Sequence, residues 1–478
     1  MSTLQLTHFI DNHWVPSVSE ERFAVIDPST EEVIAWAARG DAQDVERAVQ
    51  SARRAFPVWR DTKPRERSAL LYALGQALRE QADTFARWEA MDSGKPLARA
   101  RREILSTARY FEFYAGAADK FYGDTIPLGP DYVDFTLREP LGVTAHIVPW
   151  NFPLNMIGRS VAPALAMGNT VVVKPAEQTP ITALKLAELM LELGFPPGVY
   201  NVVTGYGEEA GAPLSRHPGV DGITFTGSVE VGRLIMRAAA EHIRPVVLEL
   251  GGKSPIIVFD DADPDHAAAE TVKAIYSNTG QVCSAGSRLL VQEGIKDAVL
   301  EALIARSKRV RVGPALEDPD VGPLVSDEQY RRVQGYVEIG QKEGARLIFG
   351  GQRPAERERG FFFSPTILDS VHPQMRVAQE EIFGPVLAVL TFRTEEEALE
   401  IANGVQYGLV AGVMTNDIGR ALRMARGLQA GQVFVNEYFA GGEETPFGGY
   451  KQSGFGREKG WEALYNYTQV KNVAIRIR

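Results

Sequence analysis

The chain of 478 residues has a single cysteine, Cys283. One thiol cannot close an internal disulfide, so disulfide-stapled scaffolds are excluded and a reducing compartment fits. The seven histidines show no metal-ligand spacing, and with one Cys beside them a zinc centre is not expected. Long apolar runs are missing: no stretch approaches the ~20 continuous apolar residues of a membrane span. The first ten residues, Met1 to Ile10, lack both a basic n-region and the apolar core of a signal peptide. Basic excess is missing as well. A net charge of -10 argues against nucleic acid or an anionic membrane as the main partner. Cytoplasm is the expected location.

At about 150 residues per domain, the length predicts two or three domains. Residues 1 to 40 carry short alternating edge strands. From Asp41 the period becomes helical, with Val45, Ala48, Val49 and Ala52 behind a capping Asp, and a second helical stretch is expected from Pro64 to Met91. Short β-branched runs follow at Thr144 to Val148, Thr170 to Val173, Tyr200 to Val203, Gly222 to Thr226 and Val246 to Leu250. Helical patterns lie between several of them, notably Pro180 to Leu193. Strands alternating with helices imply parallel pairing through right-handed crossovers, hence a doubly wound α/β domain. A second α/β unit begins after Gly251-Gly252, with strands at Ile256 to Phe259, Leu289 to Val291, Val386 to Phe392 and Gln432 to Asn436. Tyr132 to Leu137 and the tail Tyr467 to Arg478 alternate as strands without a partner nearby in sequence, which predicts an arm pairing across subunits. The basic cluster Arg99 to Arg102 reads as a solvated surface.

By itself a lone cysteine is more often a small buried hydrophobe than a nucleophile. Cys283, however, follows the polar, glycine-containing stretch Ser277 to Val282 and precedes small residues, as a side chain at the mouth of a site would. Three other segments supply what thiol chemistry on a carbonyl needs. Val247 to Lys253 places Glu249 between two leucines at a strand end, where apolar surroundings raise a carboxyl pKa and allow proton exchange near neutrality. Val148 to Pro153 fixes the Asn151 amide between two prolines and two aromatics, suited to a developing oxyanion. Phe225 to Gly232 runs from strand into helix with glycines at 227 and 232, so that backbone N–H groups can meet a pyrophosphate. It lacks the three-glycine dinucleotide fingerprint and is compatible with an ordinary βα turn. Lys174 and Glu177 end the strand at Val172, where groups that bind a ribose belong; a carboxylate there favours NAD over NADP. Asp260, Asp261 and Asp263 precede a helix and are expected to cap it rather than hold a cation.

In this order and spacing, the segments VPWNFP, VVKPAE, FTGSVEVG, LELGGKSP, GQVCSA, EEIFGPV and PFGGYKQSGFGRE resemble the aldehyde dehydrogenase superfamily of the hydrolytic, NAD(P)-dependent kind, over nearly the whole chain. The resemblance implies a cofactor domain (residues 1–120 and 141–251), a catalytic domain (252–452) and a small β oligomerisation arm (121–140 and 453–478), assembled as a homodimer or homotetramer. It implies Cys283 as nucleophile, Glu249 as base and Asn151 as oxyanion donor, aided by the Cys283 backbone N–H. Lys174, Glu177 and Ser228 would hold the adenosine and phosphates of NAD or NADP, Glu381 and Phe383 the nicotinamide ribose, with Trp150, Gly227 and Gly251 lining the same site. A thiol of pKa about 8.5 needs a nearby base or field to raise its thiolate fraction.

Relatives acting on simple aliphatic aldehydes surround the nucleophile with aromatics. Here the equivalent places hold Arg159, Ser277 and Gly441, while Phe152 and Phe447 keep that character. Arg159 resembles the carboxylate anchor of succinic semialdehyde dehydrogenases, although the second Arg of that anchor is replaced by Ser277. A polar aldehyde is therefore expected, with a carboxylate-bearing semialdehyde as one candidate. The alternatives are a cysteine-dependent esterase or deacylase without redox chemistry, and a non-catalytic structural use of the fold.

Overall fold

The computed structural model describes residues 3–477. Five of the β-branched runs form the parallel centre of an eight-stranded sheet, in the order Val246–Glu249, Gly222–Thr226, Val143–Ile147, Thr170–Lys174, Tyr200–Val202. Almost every residue in them is buried, because helices cover both faces and leave no polar side to alternate with. Helix Ala42–Asp61 starts at a capping box between Asp41 and Asp44 and packs Val45, Ala48, Val49 and Ala52 against the sheet. Helix Pro153–Ala166, buried along its whole length, packs against strands Val143–Ile147 and Thr170–Lys174. The edges are antiparallel: Gly454–Phe455 joins Val246–Glu249, and the hairpin His8–Ile10 with His13–Val15 joins Tyr200–Val202.

A second, seven-stranded sheet runs Arg346–Phe349, Thr366–Asp369, Val386–Phe392, Arg288–Gln292, Pro255–Val258, Val410–Met414, Gln432–Val435, parallel except for its first pair. Asp263 caps helix Pro264–Tyr276 as expected, accepting from Asp265 N at 2.9 Å. Asp261 instead accepts from the Thr415 hydroxyl and the Asn416 and Asp417 amides, and no cluster suited to a metal occurs among the described residues. No helix among them is long and apolar enough to cross a membrane.

Two expectations need correction, and a third, that of an arm, gains a detail. The helix expected over Pro64 to Met91 is two helices, Pro64–Glu80 and Ala82–Ser93, broken at Gln81. Nothing at Gln81 breaks a helix chemically; both pieces pack on helices Leu97–Ala117 and Ile181–Glu192, so the break accompanies the packing. The Arg99 to Arg102 cluster lies at the start of helix Leu97–Ala117, and Arg99 faces inward. The strands Tyr132–Pro140 and Thr468–Arg476, expected to seek partners across subunits, pair with each other in nine antiparallel register steps, with Thr125–Ile126 on the far side. Sequence distance hid that partner, since a sheet ladder is indifferent to loop length.

Candidate active site

Strand Val143–Ile147 has its sequence successor, Thr170–Lys174, on one side and the later Gly222–Thr226 on the other, so the strand order reverses there. Crevices at such switch points, beyond the carboxyl ends of parallel strands, receive ligands. The loops leaving these strands bring in Trp150 and Asn151, Gly227 and Ser228, and the end of Val246–Glu249 brings in Glu249.

Cys283 arrives from the second sheet. After helix Pro264–Tyr276 the chain makes a tight turn in which Asn278 and Thr279 take φ of 49° and 60°, a left-handed conformation uncommon for any side chain and strained for a β-branched one. Side chains hold it there. Asn278 Nδ2 donates to Asn151 O at 3.1 Å, Thr279 Oγ1 to Gly322 O at 3.1 Å, and the Gln281 side chain accepts from Val325 N at 2.9 Å. On the far side Tyr438 donates its hydroxyl to Ser284 O at 2.9 Å. Gly252 admits the loop, because a Cβ there would collide with the Cys283 carbonyl oxygen. Asn151 Nδ2 donates to Gln281 O at 2.9 Å, which fixes the amide beside the sulfur and leaves its second hydrogen uncommitted. The Cys283 backbone N–H likewise donates to no group among the described residues.

The sulfur lines two cavities at once. The first, about 210 Å³, is walled by Trp150, Asn151, Gly227, Ser228, Glu249 and Glu381, with Gly251 and Phe383 also at its surface. Trp150 and Phe383 meet edge-on, ring centres 5.2 Å apart. Glu381 is aimed by an N–H from Gly252 at 3.0 Å, and Gly251 must lack a Cβ to let that carboxylate by. Gln329 and Arg332, from helix Asp327–Lys342, grip the backbone of Glu381 to Phe383 through its carbonyls. No local sequence pattern marks these two. Ser228 caps helix Val229–Ala240, and Lys174 pairs with Glu177 at 3.2 Å on the same sheet edge, outside this enclosed cavity. The cavity thus combines an aromatic pair, a buried carboxylate and the N-terminus of a helix, a setting in which an anionic ligand can be received.

The second cavity, about 660 Å³, approaches the sulfur from the opposite side and is lined by Phe152, Arg159, Ser277, Gly441 and Phe447, all five expected from the sequence. Arg99 also lines it, donating to Ser277 Oγ at 2.8 Å and to Glu103 at 3.0 Å. Lys95, buried between Glu89 and Glu103, lies 4.6 Å from the centre of the Phe152 ring. Arg159 is buried against Phe447 and ion-paired to the buried Glu458, which a pair of backbone hydrogen bonds with Phe447 holds in place. Glu458 offsets the charge of the guanidinium, which still lines the cavity and keeps Nε without a hydrogen-bond partner among the described residues.

Glu249 is 1 % exposed, and neither carboxyl oxygen has a hydrogen-bonding partner among the described residues. Burial pushes its pKa up to about 8, partly opposed by Arg159. Burial and the Glu249 charge push the Cys283 thiol well above its ordinary value, while Arg159 pulls the other way. Desolvation thus outweighs the nearby cation and favours the thiol over the thiolate, so a base is needed to take its proton.

A buried thiol beside an orphaned carboxyl, between a dinucleotide-shaped slot and an outer cleft, defines a cysteine-dependent oxidoreductase. The aldehyde dehydrogenase family model matches residues 14–473. A hydroxyisobutyraldehyde dehydrogenase of Mycolicibacterium austroafricanum is 48% identical over 98% of this chain and 93% of its own length, and a mitochondrial aldehyde dehydrogenase of Rattus norvegicus is 45% identical over 98% and 91%. Among solved structures, the betaine aldehyde dehydrogenase of Staphylococcus aureus with NAD+ superposes with a TM-score of 0.97 at 40% identity, covering 99% of this chain and 95% of that one. The NAD+ complex of an aldehyde dehydrogenase from Bacillus cereus gives 0.97 at 43%, covering 99% and 97%. The chain belongs to the aldehyde dehydrogenase family, and it oxidises an aldehyde to the carboxylic acid with NAD(P).

Proposed function

We propose that Cys283 is the nucleophile, Glu249 the base, and Asn151 Nδ2 with the Cys283 N–H the oxyanion donors of this oxidation, and that the substrate is a polar aldehyde. The observation that carries the reading is that one sulfur lines both cavities, so a carbon bonded to it is reachable from each side. NAD, or NADP, would occupy the smaller one against Trp150, Gly227, Ser228, Gly251, Glu381 and Phe383, with Lys174 and Glu177 further along the sheet edge. When bound, the cofactor supplies a hydride acceptor.

The Glu249 carboxylate takes the Cys283 proton as the sulfur adds to the aldehyde carbon and passes it to solvent before hydrolysis, while the oxygen, now negative, meets the Asn151 amide and the Cys283 N–H. Loss of hydride from the resulting thiohemiacetal leaves a thioester on Cys283. Glu249, as carboxylate, takes a proton from water; the water oxygen bonds to the thioester carbon, the C–S bond breaks, and the acid departs with the thiol restored. Arg99 and Ser277 in the outer wall, where aromatics would suit an alkyl chain, support a polar substrate.

The same reading keeps a cofactor unit (1–120, 141–251), a catalytic unit (252–452) and a β arm (121–140, 453–478), supported by two separate parallel sheets and a third antiparallel one. Exposed Val133, Leu137, Val470 and Ile475 on the arm support a homodimer or homotetramer, and the cytoplasm remains the proposed location. The test is NADH formation at 340 nm over a panel of aldehydes, for the parent enzyme and Cys283→Ala. Turnover should vanish in the variant; NADH production that survives it would remove Cys283 as nucleophile.

A further inference from the structure

Arg159 leaves helix Pro153–Ala166, which starts directly after the turn holding Asn151, and it lines the outer cavity together with Cys283. Its guanidinium lies 4.6 Å from the centre of the Phe447 ring and is ion-paired to Glu458. Arg159 is 6 % exposed and Glu458 3 %, so water screens neither charge. Glu458 reaches this place from the strand that carries the candidate base. Gly454 stands opposite Glu249 in the antiparallel ladder, and the chain runs on from there to the two hydrogen bonds that join Glu458 to Phe447. Each end of the ion pair is thus tied to a segment of the site. The titratable groups bearing on Glu249 come from separate elements: Arg159, Glu458, Cys283 at the wall of the smaller cavity, and Glu381. Arg159 favours the Glu249 carboxylate and the Cys283 thiolate; Glu458 and Glu381 oppose the first, Glu249 and Glu381 the second. Tyr110, from helix Leu97–Ala117, and Lys459 also face the pair. Burial keeps the tyrosine protonated, and Glu443, Glu444 and Glu458 all act on the lysine.

We propose that Arg159 is a positioning residue for the oxidation, its buried charge, trimmed by Glu458, supplying the field in which the Glu249 carboxyl and the Cys283 sulfur exchange protons. In a dry wall a single charge acts over distances at which solvent would screen it. Arg159 is the cation that bears on both groups, and the other neighbours of Glu249 are acids or the thiol, so without the guanidinium the base would ionise with more difficulty. Glu458 works in the opposite sense, because without it the guanidinium would act uncompensated. The inference rests on the reading of Glu249 as base and Cys283 as nucleophile. It gives Arg159 a part in the proton steps, whichever aldehyde is bound.

The experiment follows kcat for NADH formation by the full-length enzyme from about pH 6 to about pH 10, with an aldehyde for which thioester hydrolysis limits, and reads the midpoint of the rising limb. Glu458→Gln keeps the shape but leaves the guanidinium uncompensated, so the midpoint should move down by about one pH unit and kcat at pH 7 should rise about fivefold. Arg159→Met removes the cation, so the midpoint should move up by a similar amount and kcat at pH 7 should fall about ninefold. The double variant, which strands no buried charge, should return the midpoint toward that of the parent. Damaged packing would not move two variants in opposite directions while leaving their alkaline plateau in place. Because the chain has one cysteine, the rate of alkylation by iodoacetamide reports the Cys283 thiolate alone, and its pH profile should shift in the same two directions. A midpoint that Glu458→Gln leaves in place or moves up, or that Arg159→Met leaves in place or moves down, overturns the role of Arg159, whichever of the two is assayed. Glu249→Gln, run alongside, separates the two readings. If it abolishes the limb while the ion-pair variants leave it unmoved in the parent background, only this inference falls; if the limb survives it, the assignment of the base falls as well.

Discussion

Replacing Glu249 by Gln tests the chemistry most directly, because the structure sets both the size and the pH of the effect. The side chain is fully buried with two unpartnered oxygens, and burial holds its pKa at about 8. Only the carboxylate can take a proton from water. That form makes up about one-tenth of the enzyme at pH 7 and about nine-tenths at pH 9. With hydrolysis of the thioester limiting, kcat should climb about tenfold over this interval, with unit slope on a logarithmic plot well below pH 8 and a plateau above it. Glu249→Gln keeps the shape and removes the base, so kcat should fall by about 10²- to 10⁴-fold and the limb should disappear. Steady-state NADH formation across pH 6.5 to 9.5, with a stable buffer series, reads both. A variant that loses rate but keeps the same limb would show that another group titrates, and the assignment of Glu249 would fail. The same substitution removes an uncompensated buried carboxyl, so its melting temperature should equal or exceed that of the parent, as expected where an active site stores instability.

Asn151→Ala should lower kcat by about 10²- to 10³-fold with little change in NAD+ affinity, the signature of a lost oxyanion donor; an equal loss of cofactor binding measured by fluorescence titration would point instead to collapse of the Gln281 contact. Gly251→Ala drives a methyl into the Glu381 carboxylate, so KM for NAD+ should rise far more than KM for the aldehyde. Arg159→Met strands the Glu458 carboxylate in a dry wall and should cost about 3–5 kcal/mol in denaturant unfolding, most of it recovered in the double variant Arg159→Met, Glu458→Gln. If Arg159 were a free substrate anchor, the single variant would instead be nearly as stable as the parent.

The sequence by itself determined the alternation of strands and helices and the doubly wound α/β class, and it singled out the candidates for the chemistry, because each rests on a short-range signal. Burial on both faces writes continuous β-branched runs such as Thr170–Lys174, and a thiol, a carboxyl and an amide stand out within segments of six to eight residues. Signals of that range stop at the helix or strand that carries them. They could not report the break at Gln81, the pairing of Tyr132–Pro140 with a strand over 300 residues later, or the grip of Gln329 and Arg332 on Glu381 to Phe383. Charge was the least legible quantity of all. Arg159 reads from the sequence as an open cation, and only the packed chain, by seating Glu458 against it, decided that its charge is offset. The physical reason is that the energy of a buried charge depends on what lies within a few ångströms in space, whatever its distance along the chain.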